Sequence, residues 1–60
     1  MKELKKYVGK NMYCILDADN KVYMIENFSQ VMTVFGSLNH EKEVYTLLPV
    51  ELAIEQLESI

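Results

Sequence analysis

The strongest restriction on this chain comes from two short runs, Met12-Tyr13-Cys14-Ile15-Leu16 and Lys21-Val22-Tyr23-Met24-Ile25, separated by Asp17-Ala18-Asp19-Asn20. Both runs are rich in β-branched and aromatic residues, which suit extended strands. Asp and Asn bond their own backbone and tolerate the left-handed conformation of a tight reversal. The segment therefore reads as a β-hairpin with Ala18, Asp19 and Asn20 as its loop and Asn20 left-handed. In that register Asp17 stands opposite Lys21, Leu16 opposite Val22, Ile15 opposite Tyr23, Cys14 opposite Met24 and Tyr13 opposite Ile25. The same acidic run could suggest a calcium loop. An EF-hand started at Asp17 places Asp19 correctly, but puts Lys21 at the fifth position, Val22 where glycine is needed and Phe28 in place of the bidentate glutamate. A turn satisfies the run better than a cation does.

Successive strand side chains point to opposite faces. One face of this hairpin would carry Met12, Cys14, Leu16, Val22 and Met24, and the other Tyr13, Ile15, Tyr23 and Ile25. Both are apolar, whereas an antiparallel hairpin in a small domain normally alternates apolar with polar. Each face therefore needs a cover.

The segments after the hairpin supply candidates. Phe28, Val31, Met32, Phe35 and Leu38 recur at helical spacing, with Asn27 placed to cap the start and Gln30 suited to a capping box. Val31, Thr33 and Val34 are β-branched, which leaves a strand over residues 30–35 as the competing reading. Val44-Tyr45-Thr46-Leu47-Leu48 reads as a third strand. Pro49 suits the first position of a second helix, with Glu51 in its first turn. The apolar stripe of that helix is Val50, Ala53, Ile54, Leu57 and Ile60. Leu4, Tyr7 and Val8 share a face of a short helical turn that Gly9 could end. The expected fold is a single α+β domain over residues 1–60, a three-stranded sheet with two helices in the order β-hairpin–α–β–α. A four-stranded β-meander with one C-terminal helix is the alternative. Residues 1–10 form a basic segment, flexible or short-helical. Two helical stripes can cover one face of such a sheet, and the chain looks too short to cover both.

Composition narrows the functional classes. A chain of 60 residues buries only about 60% of the surface its unfolded form exposes. Cys14 is the one cysteine, so no disulfide can form within the chain, and a cytoplasmic, reducing setting is expected. The neighbours of Cys14 suggest a small buried hydrophobe. No apolar run is long enough to span a membrane, and the lysines of the first residues are not followed by a signal-peptide core. The net charge is −3, unevenly spread: residues 1–10 carry four lysines against Glu3, and the remainder carries Lys21 and Lys42 against eight acids. Arginine is absent, which removes the bidentate contacts that dominate phosphate and guanine recognition, so direct nucleic-acid binding is not expected.

Little in the chain looks like chemistry. Cys14 and His40 are each unique, one in a strand and the other in a polar loop, with no spacing that predicts contact. One Cys and one His cannot build a structural zinc site. Gly9 and Gly36 are too few and too separate for a phosphate cradle. No catalytic residue, cofactor or metal is therefore expected. The sequence points instead to a small non-catalytic protein-interaction module acting as adaptor, regulatory subunit or inhibitor, whose partner is another protein or a second copy. Its expected interface is the face of Tyr13, Ile15, Tyr23 and Ile25. The alternative is an acidic nucleic-acid mimic using Glu41, Glu43, Glu51, Glu55 and Glu58 against a basic groove.

Overall fold

A computed structural model describes residues 2–59, with side-chain surroundings for residues 4–59. The elements are α1 (Lys2–Lys5), β1 (Met12–Leu16), β2 (Val22–Asn27), α2 (Phe28–Ser37), β3 (Thr46–Pro49) and α3 (Val50–Glu58). The strands form one antiparallel sheet in the order β2-β1-β3. Hairpin, helix, strand and helix thus follow in the expected order, preceded by one short helix.

The hairpin turn is held by the aspartate that opens it. The Asp17 carboxylate oxygen Oδ1 accepts from the backbone N–H of Asp19 and of Lys21, both at 2.9 Å. The Asn20 N–H donates to the Asp17 carbonyl at 3.0 Å, and Asn20 is left-handed with φ 62°. Leu16 pairs with Val22 as expected, but the ladder then shifts. Ile15 stands opposite Met24, Cys14 opposite Ile25, Tyr13 opposite Glu26 and Met12 opposite Asn27. Tyr23 is the extra residue of a β-bulge. Because a strand alternates faces, one inserted residue reverses the facing of everything beyond it. Met24 joins the side of Ile15, and Ile25 crosses to the side of Cys14.

β1 is the central strand, and Cys14, Ile15 and Leu16 are all buried in it. On one face Cys14 and Leu16 pack with Leu4, Val50 and Ala53, and Tyr7, Met12, Ile25, Leu48, Ile54 and Leu57 close around them. On the other face α2 lies over β1 and β2, with Val31 fully buried. The helices therefore cover both faces, which corrects the expectation that they would cover one. The reason is width. A helix is about 10 Å across and neighbouring strands lie about 4.8 Å apart, so one helix roofs two strands. α2 has ten residues and β1 five, lengths of about 15 Å and about 17 Å. Small as it is, the chain has enough material to enclose its centre.

Both long helices leave the sheet without a loop. Asn27 ends β2 and caps α2, its Oδ1 accepting from the Gln30 N–H at 3.0 Å. Helical periodicity thus overrides the β-branched residues of this segment: burying Val31 outweighs a propensity loss of a few tenths of a kcal/mol per residue. Pro49 stands one residue earlier than expected, closing β3 with φ −58° and ψ 149° and preceding α3. β3 is an edge strand, where a missing N–H is tolerated. It begins at Thr46 rather than Val44, and Val44 is 70% exposed. Ile60, expected on the α3 stripe, and Met1, in the basic segment, lie outside the described residues.

The N-terminal segment is docked. Leu4 is 1% exposed. The Tyr7 N–H donates to the Leu4 carbonyl at 2.9 Å, and Gly9 has φ 78°, which glycine adopts without the steric cost other residues meet. Two contacts tie the segment to α3: the Gly9 N–H donates to Glu51 Oε2 at 2.9 Å, and Lys5 Nζ pairs with Glu58 Oε2 at 3.3 Å.

Candidate interaction surface

The structure separates the four residues of the expected interface. Ile15 is wholly buried beneath α2. Tyr13, on the same face, is half-buried, its ring tilted against Phe28 with centroids 4.9 Å apart. Tyr23, released from pairing by the bulge, is 52% exposed and meets Tyr45 edge-on at 5.6 Å. Ile25 is half-buried on the opposite face, against the Cys14 and Leu16 cluster. Three of the four share the α2 side; Ile25 does not.

Two residues that the sequence placed in the core extend this surface. Phe28 is 50% and Met32 47% exposed, one helical turn apart on α2. Val34, off the expected stripe, is half-buried with Phe35 and Leu38. Five apolar residues plus Val34 make a stripe wider than the sheet contact. The buried centre of α2 turns toward Val31 and Val34, which lifts Phe28 and Met32 onto its flank. The off-pattern valine was the visible signal of that rotation.

A second aromatic group sits at the C-terminal end of α2. His40 is exposed, as a loop residue should be, but its ring is engaged. Its Nε2–H donates to the Phe35 carbonyl at 2.7 Å, so the proton lies on Nε2, and it shares that carbonyl with the Leu38 N–H that closes the helix. The His40 ring lies 4.6 Å from Phe35 and 5.9 Å from Tyr45. Tyr45 in turn meets Tyr23. The Tyr45 hydroxyl is held above its ordinary pKa by desolvation first, then by the nearby Glu43 carboxylate, with smaller contributions from Tyr23 and Asp17.

The five glutamates of the alternative surface do not form one patch. Glu41 and Glu43 belong to the exposed loop beside α2, whereas Glu51, Glu55 and Glu58 lie on α3, across the sheet. Glu51 and Glu58 are already engaged with the N-terminal segment. The Gly9 N–H, and then its own backbone N–H, hold the Glu51 carboxyl below the ordinary glutamate range. A depressed carboxyl pKa adds stability above the unfolded value, and that contribution disappears as pH falls through the folded one. The Gly9 amide should therefore stay protected from hydrogen exchange at neutral pH and lose protection as pH drops below 4.5, the ordinary glutamate value. Glu51→Gln should abolish that pH dependence, and an unchanged profile would count against the tether.

Cys14 is fully buried, and desolvation pushes its thiol up to about 11. It stays protonated at neutral pH and is a poor nucleophile. Cys14 faces the α3 side and His40 lies on the α2 side, so the sheet stands between them. Among the described residues no three His, Cys, Asp or Glu side chains gather as a metal site would require. No helix of those residues is long and apolar enough to cross a membrane. Comparison with protein-family models, curated proteins and solved structures found no match, so the functional reading stands on this geometry alone.

Proposed function

We propose that this chain is a non-catalytic protein-interaction module, an adaptor, regulatory subunit or inhibitor, that self-associates through the α2 side of its sheet. The observation that carries this reading is the pair Phe28 and Met32, each about half exposed on one flank of α2 with Tyr13 against Phe28. Taking such a side chain from full exposure to full burial contributes roughly 1.5–3 kcal/mol, so covering its exposed half contributes about half of that. In a two-fold dimer the same patch is used twice, so the gain doubles without any further sequence requirement. The buried, protonated thiol of Cys14 suits a reducing, cytoplasmic setting. Direct nucleic-acid binding has little support, because Lys5 is paired to Glu58 and arginine is absent.

Sedimentation equilibrium from micromolar to millimolar protein tests the proposal. The wild type should pass from monomer to dimer, and the double variant Phe28→Ser, Met32→Ser should remain monomeric throughout. The variant also loses the packing of Phe28 on Tyr13, so far-UV circular dichroism should show that it is still folded at the temperature of the sedimentation run. A wild type that is monomeric over the whole range, or a variant that associates as strongly, overturns self-association through this flank.

A further inference from the structure

We propose that the aromatic group at the C-terminal end of α2 is a recognition site for an organic ammonium, with Tyr23, Tyr45 and His40 as its ring walls and Asp17 and Glu43 as its charges, and that its natural ligand is a lysine side chain of a partner protein. The site goes beyond self-association: it uses other residues, at the other end of the helix from Phe28.

The rings have the arrangement such a ligand needs. Tyr23 and Tyr45 meet at 69°, and His40 stands at 86° to Tyr45. Rings set steeply to one another form a corner, and a cation held there lies over more than one π-face. Tyr23 is 52% exposed, so the corner is reachable. The bulge matters here. It leaves Tyr23 without a partner in the ladder, at the edge strand, with its ring against that of Tyr45, the residue just before the opposite edge strand β3.

The charge complement is also local. The β1–β3 ladder ends at Leu16–Thr46; Asp17 and Tyr45 are the residues just beyond that pair, and the Asp17 charge acts on the Tyr45 hydroxyl. Glu43 lies two residues before Tyr45, and its charge acts on the same hydroxyl. Among the described residues the ion pair formed is Lys5–Glu58, so neither Asp17 nor Glu43 has a cationic partner. Asp17 spends one oxygen on the hairpin amides, which fixes its carboxylate without neutralising it. Aromatic rings beside unpaired carboxylates favour an organic ammonium over sodium, because its carbon stem can pack on the rings while its charge meets the carboxylates. A chain of net charge −3 would attract such a partner from a distance.

Two-dimensional NMR titration of the whole chain tests this, with tetramethylammonium chloride as the probe. Sodium chloride at equal ionic strength and tert-butanol, a neutral molecule of similar shape, are the controls. A short peptide, acetyl-Gly-Lys-Gly-amide, reports whether a peptide-borne ammonium enters the same site. Tetramethylammonium should move the ring protons of Tyr23, Tyr45 and His40 saturably, and neither control should. Tyr23→Leu should weaken the binding by about fivefold or more. Asp17→Asn with Glu43→Gln, which keeps an oxygen acceptor in the hairpin turn, should weaken it comparably. Far-UV circular dichroism of each variant confirms that the fold persists. Equal shifts with sodium or tert-butanol, or undiminished binding in Tyr23→Leu, overturn the proposal. Binding of tetramethylammonium without the peptide overturns the lysine assignment. The Phe28→Ser, Met32→Ser variant should bind as wild type does, so failure of self-association and failure of this site are read separately.

Discussion

Replacing Ile15 with alanine is expected to leave little folded protein at physiological temperature. Ile15 is fully buried in the central strand, opposite Met24 on one side and Leu47 on the other, beneath α2 with its buried Val31. Removing a buried isoleucine to alanine costs about 2–5 kcal/mol, depending on how far the site can collapse. Here collapse is restricted, because strands lie on both sides and a helix above. At about 0.05–0.15 kcal/mol per residue the whole chain has a margin of roughly 3–9 kcal/mol. The loss is therefore comparable with the total. Urea denaturation followed by circular dichroism would show it as a steep fall in midpoint. Ile25→Ala is the control: Ile25 is half-buried in an edge strand, and its loss should be smaller by about 1 kcal/mol or more. Equal losses would mean that α2 does not seal the face of Ile15.

The second large effect is expected at the terminus. Leu4→Ser should destabilise the chain by about 2–4 kcal/mol, the cost of emptying a leucine site and leaving a hydroxyl in it. Leu4 is 1% exposed and packs with Cys14, Leu16, Val50 and Ala53. Those residues lie far from it in the chain, so the segment that carries Leu4 closes the core rather than decorating it. Lys6→Ala is the matched control, because Lys6 is exposed and surface changes usually stay within about 0.5 kcal/mol. A thermal melt in which both variants behave alike would show that the N-terminal segment is not docked on α3.

Expectations from sequence succeeded or failed according to how local their cause was. The Asp17 turn, the Asn27 cap and the α2 periodicity each depend on residues within a few positions of one another, and all three are present. The register failed after one pair, because a bulge at Tyr23 is decided by which side chains pack beneath the helices. That single insertion sent Ile25 to the far face and separated it from Tyr13 and Ile15. The flank of Phe28 and Met32 was half legible: the stripe was seen, but its rotation depends on where the sheet lies beneath it. The aromatic group around Tyr45 was not legible, since Tyr23, Phe35, His40 and Tyr45 come from a bulge, a helix end, a loop and the approach to β3.

Order and kind of element, and the need of the hairpin for cover on both faces, were determined by the amino-acid sequence alone, through turn chemistry and periodicity acting over short stretches. What supplies that cover was decided only in three dimensions. A helix as wide as two strands lets α2 close one face while α1 and α3 close the other. No neighbouring-residue rule carries that fact, because it depends on the cross-section of a helix relative to the spacing of a sheet.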